Sequence, residues 1–157
     1  MTKPVITFVL GLVLGVLACG VIMSVGGADM MLLEDKSRLN HAETVQAVKD
    51  AALAAGWKVP AVHEIHDSVA KGGFDVLPVT VIELCSVSLA GRILGDTDGR
   101  RVAPMMPCRV AIYETAAGDV IVSRMNSGLM SKVFGGIVED MMSEAAAANE
   151  AMFSSLF

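Results

Sequence analysis

Val110-Ala111-Ile112-Tyr113-Glu114-Thr115-Ala116-Ala117-Gly118-Asp119-Val120-Ile121-Val122-Ser123-Arg124-Met125 is the stretch that decides the fold. Two runs rich in β-branched and aromatic residues flank Ala117-Gly118, a pair suited to a tight turn. The pattern predicts strands over 110–114 and 120–125, joined as a hairpin. Downstream, Phe134, Ile137, Met141, Ala145, Ala148 and Met152 recur at helical spacing and predict a helix over 129–153, with Gly135-Gly136 as a weak point near its start. Upstream, β-branched residues predict another strand over 78–85. The segment 88–94 suits one or two helical turns, and 95–101 reads as a charged loop.

Further from the hairpin, 57–65 reads as a strand that Pro60 confines to an edge or a bend, and 66–74 as a loop or short helix. Asn40, with Glu43 three residues on, has the form of a capping box. It opens a helix reaching about residue 55, on which Val45, Val48, Ala52 and Leu53 share one face, and Gly56 follows as a helix stop. The short apolar run 30–33 reads as a first strand. Strand, helix, four strands, helix is the order of a two-layer α+β domain whose helices cover the sheet.

The N-terminal end is different in kind. The chain has 157 residues, 54% of them apolar, and a formal net charge of -5, with a mean hydropathy of +0.59. The apolar excess is concentrated between Val5 and Val25, where no residue is charged. A helix of about 21 residues spans about 31 Å, close to the thickness of a bilayer core. Residues 1–27 are therefore expected to form a transmembrane anchor, with 28–157 as the domain. Lys3 precedes the run and Asp29, Glu34 and Asp35 follow it, which directs the N-terminus to the cytoplasm and the domain to the far side of the membrane. Two other readings stay open. Val16-Leu17-Ala18-Cys19 resembles the signal of a lipoprotein anchored at Cys19, and a cleaved signal peptide also carries an apolar core, though normally a shorter one. Gly11, Gly15 and Cys19 recur every fourth residue, which puts three small side chains on one face suited to helix pairing. With Lys3 set aside, acidic residues outnumber basic ones in the domain. Nothing supports phosphate-backbone binding, so no nucleic-acid partner is expected.

Four segments together carry a resemblance: Glu43-Thr44-Val45; Val79-Thr80-Val81-Ile82-Glu83-Leu84-Cys85; Met106-Pro107-Cys108-Arg109-Val110-Ala111-Ile112-Tyr113-Glu114; and Ser123-Arg124-Met125-Asn126. The chain resembles the bacterial domain of unknown function 302 family from about Leu33 to Met152. The resemblance implies a TATA-binding-protein-like fold and a tendency to form homodimers. The membrane span is an addition to the bare family domain; in a bacterial protein, the apolar run and its flanks direct the anchor to the inner membrane and the domain to the periplasm. The resemblance implies no catalytic residue, because the family has no defined activity.

Chemistry concentrates on Cys85 and Cys108, since the third cysteine, Cys19, falls in the apolar run. Each lies at a strand end, and strand pairing would bring them close. Several readings follow: two packed, silent thiols; a disulfide, closing a loop of about 24 residues and contributing about 3 kcal/mol; a redox pair; or a site for copper or haem, with Met105, Met106 and Met125 as nearby thioether ligands. The remaining methionines are expected to fill the core. His63-Glu64-Ile65-His66 lacks the spacing of the zinc-protease signature, and its rings share a face only if the segment is helical. Arg109 is expected at the surface, paired with Glu114 or an anion. No catalytic constellation is visible. The sequence favours a membrane-tethered binding or sensing module for a small ligand near Cys85 and Cys108. A scaffold or homodimer without ligand, and a thiol redox protein or electron carrier, are the alternatives.

Overall fold

The computed structural model of the chain describes residues 2–154 and Leu156. Met1 and Phe157, the expected outer limits of anchor and domain, lie outside the described residues, as does the side chain of Lys3. The chain forms two compact units, Met1–Met31 and Leu32–Phe157.

The first unit is one helix, α1, Thr2–Met31. Its window Pro4–Val21 has a mean hydropathy of 2.5, which makes it long and apolar enough to cross a membrane by length and composition. A membrane anchor and a signal sequence share that description. Gly11, Gly15 and Cys19 are exposed along it, and a Cβ added at either glycine would meet nothing within 4 Å. The helix runs past the expected join at 26–29 and takes in Met30 and Met31, so the first strand starts later than expected.

The second unit is an antiparallel sheet of five strands in the order β1-β5-β4-β3-β2. They are β1 Leu32–Lys36, β2 Val62–Glu64, β3 Val79–Leu84, β4 Cys108–Glu114 and β5 Val120–Met125. The hairpin β4–β5 is as expected, and Gly118 turns it with a φ of 82° that other residues rarely adopt. β2 is much shorter than the strand expected over 57–65. Pro60 has no N–H to donate, so only an isolated bridge between Lys58 and Cys85 forms before it, and pairing resumes at Val62. Ile65 then opens a short helix, α3, Ile65–Ala70.

Three longer helical segments cover one face of the sheet. α2, His41–Ala54, starts at Asn40 with the reciprocal capping box in place. Val48 and Ala52 are fully buried from it, whereas Leu53 is exposed, against expectation. α4, Val87–Gly95, is capped by the Ser86 side chain, and a 3-10 turn, Gly99–Met105, replaces part of the expected loop. The final helix is two: α5, Ser127–Phe134, and α6, Gly136–Phe153. Gly135 and Gly136 both have positive φ, at 68° and 57°, so the pair breaks the helix rather than bending it. The core lies between sheet and helices, where Ile82, Leu84, Val110, Ile112 and Val122 meet Val48, Val138, Met141 and Phe153. The alternation of burial along β3, β4 and β5 is that of a sheet covered on one side.

Candidate functional site

The C-terminal ends of β3 and β5 and the start of β4 lie together at one end of the sheet, because neighbouring strands run in opposite directions. The last turn of β3 brings Leu84 opposite Cys108. Cys85, one residue further, stands opposite the chain just before β4. There α4, the 3-10 turn and α6 leave a cavity of about 270 Å³. Trp57, Leu84, Leu89, Ile93 and Val102 give it an apolar wall, and Cys85, Cys108, Met105, Met106, Met125, Met141 and Met142 add seven sulfurs. All five residues expected to form a ligand site, Cys85, Cys108, Met105, Met106 and Met125, line this one cavity. Strand alternation puts Cys108 on the helix-covered face with Val110 and Ile112. Met125 and Arg109 border the cavity from strand ends on the other side.

Both thiols are free. Burial, and secondarily the neighbouring Cys85, raise the Cys108 thiol above its ordinary value. A thiol held protonated is a poor nucleophile. Among the described residues, no three His, Cys, Asp or Glu side chains are grouped to hold a metal ion.

Two polar side chains reach the same cavity. Arg124, nearly inaccessible on the covered face of β5, makes a bidentate pair with Glu150 at 2.9 and 2.8 Å and a third bond to Asp35 at 2.7 Å. It ties β1, β5 and α6 together, and two carboxylates more than neutralise its charge. Asn149, one turn after Ala145 on α6, is 7% exposed. Its Oδ1 is buried with no hydrogen-bond partner, an uncommon condition for a buried polar atom.

The opposite end of the sheet holds a polar cluster that the sequence reading did not assemble. His63 and His66 do not share a site: β2 ends between them, and His63 pairs with Glu83 at 3.2 Å. His66 instead meets His41 edge-to-face at 6.3 Å, and its Nδ1 lies 3.0 Å from the Val79 carbonyl. His41 Nε2 lies 3.3 Å from the Ile112 carbonyl and 3.4 Å from Thr80 Oγ1. The fully buried Thr80 donates to Glu64 at 2.6 Å. Arg109 pairs with Glu83 at 3.5 Å, not with Glu114 as expected, since register puts Glu83 directly opposite it.

The family model for domain of unknown function DUF302 matches residues 34–156. The chain belongs to the DUF302 family. No functionally curated protein matches the sequence. A crystal structure of an uncharacterized conserved DUF302 protein from Bacillus stearothermophilus is similar, with a TM-score of 0.74 at 15% identity. The likeness covers 82% of this chain and 99% of that one. At that identity it establishes the fold alone.

Within the DUF302 domain, the sequence reading found Cys85, Cys108, Met105, Met106 and Met125 of the cavity lining but missed Trp57, Asn149 and the α6 wall with its Met141 and Met142. One signal for Asn149 was present. It stands four residues after Ala145 on the stripe read as apolar, where a polar side chain is out of place.

Proposed function

We propose that this DUF302 protein is a membrane-anchored binding module that holds a small, apolar organic molecule in the cavity lined by Cys85 and Cys108. The single observation that carries this reading is the convergence on one apolar cavity of residues from β3, β4, β5, the 3-10 turn and α6. Ligand sites are concave and mostly apolar, with a few polar groups. This cavity matches that description, and Arg124 and Asn149 supply the polar groups.

The same facts weigh against the other chemistries at these residues. Burial of the Cys108 thiol favours its protonated form, which slows thiol exchange. A haem macrocycle needs far more room than 270 Å³. Copper(I) on Met105, Met106 and the two thiols is the second reading, favoured by the gathering of soft sulfur ligands at one place. We further propose that α1 is an uncleaved anchor and that the domain faces the periplasm. The supports are the length of the apolar helix and the placement of Lys3 before it and Asp29, Glu34 and Asp35 after it. Pairing of two chains through the face of Gly11, Gly15 and Cys19 fits such an anchor.

The test is thermal unfolding of the full chain in detergent with small apolar compounds, with copper(I), and with neither. A ligand at 100 times its Kd stabilises by about 2.7 kcal/mol. The expected result is a rise in midpoint with an organic compound that is lost when Ala145→Phe fills the cavity. A rise with copper(I) alone, lost in Met105→Leu/Met106→Leu, would replace this reading with the second one. No rise with either would overturn both.

A further inference from the structure

The cavity also constrains what it takes, and this inference rests on the binding reading just given. An apolar cavity of about 150 Å³ accommodates benzene. At about 270 Å³ the present one has room for about ten non-hydrogen atoms by the same measure. Charge is constrained next. Arg124 is the buried cation here, and Asp35 and Glu150 together outweigh it. Arg109 at the border is paired with Glu83. Among the described residues lining the cavity, both cations are already paired with carboxylates, so a carboxylate or phosphate entering would bring its charge into low-dielectric surroundings without a free partner. The hydrogen-bond demand comes last. Asn149 lines the cavity, and its Oδ1 is buried without a partner. A carbonyl oxygen only accepts, so what satisfies it is an O–H or N–H donor. The terminal torsion of an asparagine amide is broad, so rotation about it can present Oδ1 to an occupant of the cavity.

We infer that the occupant is a neutral, mostly apolar molecule that donates one hydrogen bond to Asn149 Oδ1. Alcohols, phenols and indole-type N–H compounds of about ten non-hydrogen atoms form that class. Hydrocarbons lack the donor, and fatty acids at neutral pH bring an unmatched charge.

The experiment uses two isomers of equal size, 4-ethylphenol, which has an O–H donor, and 4-methylanisole, which has none, titrated calorimetrically into the full chain in one detergent. We expect 4-ethylphenol to bind about five- to tenfold tighter, the effect of one net hydrogen bond. We expect Asn149→Leu, similar in shape and without the acceptor, to bind both isomers equally. Partition into micelles is the same for both proteins, so the change in preference isolates Asn149. Equal binding of the isomers to the wild type would overturn the donor inference and leave the binding reading standing. Binding of neither would overturn the binding reading itself. Should Asn149→Leu fail to fold, Asn149→Ala serves, and a preference that survives in either folded variant also overturns the inference.

Discussion

The two ends of the DUF302 sheet carry polar groups of opposite character. At one end, Thr80 bonds to Glu64 and His41, and His41 and His66, packed edge-to-face, each bond to a strand carbonyl. At the other, Asn149 Oδ1 is left without a partner beside a cavity. A buried polar group that the chain satisfies itself rigidifies the fold. One that the chain leaves unsatisfied costs stability and persists where something outside the fold can pair with it. On the proposed function, the first end acts as a clamp and the second as a receptor.

The largest effect is expected where the receptor end is itself clamped. Arg124→Ala removes the bonds to Asp35 and Glu150 and leaves both carboxylates without that cation. Both carboxylates are partly exposed, so the loss falls short of the fully buried case, at about 2–3 kcal/mol in urea denaturation. A loss of a few tenths would show that Arg124 does not join β1, β5 and α6. Next comes the clamp end. Thr80→Val keeps the shape and deletes the hydroxyl, and should cost about 1 kcal/mol. Asn149→Leu should do the reverse and raise stability by about 1 kcal/mol, because it removes an unpaired acceptor from an apolar wall. If both substitutions shift stability in the same direction, the comparison between the two ends fails.

The hairpin, the capping box at Asn40 and the order of elements were legible because each depends on local chemistry: β-branched runs, an Asx cap, a turn glycine. What was not legible depends on pairing across distance. Pro60 shortened β2 because its effect acts through a partner strand. Gly135 and Gly136 divided the last helix because both take positive φ, which sequence alone marks only as a weakness. Cys85 and Cys108 were found as a pair through their strand-end positions. Their cavity was not, because α4 just after Cys85 and the 3-10 turn just before Cys108 close it only together with α6, which lies far from both in sequence. Asn149 showed itself only as a polar residue on an apolar stripe.

The smallest predicted effect concerns pH. The Cys108 thiol is raised above its ordinary value by burial. The folded state therefore keeps its proton where the unfolded state begins to lose it. This contribution to stability is fully present below about pH 8.5, where an unfolded cysteine is protonated. It is lost as pH rises through the folded value. Urea midpoints of the wild type should fall more than those of Cys108→Ser over that alkaline range. Cys85 should also alkylate faster than Cys108 at mildly alkaline pH. Faster reaction at Cys108 would revive the thiol-redox reading.

The central claim, that the cavity at Cys85 and Cys108 receives a ligand, has a built-in reporter. The chain has one tryptophan, and Trp57 lines the cavity. Its fluorescence, excited at the red edge of its absorption during titration with 4-ethylphenol, is the most direct measurement. The account predicts a saturable change in the wild type that disappears in Ala145→Phe. A signal that never saturates, or one that is unchanged in the filled variant, would contradict it.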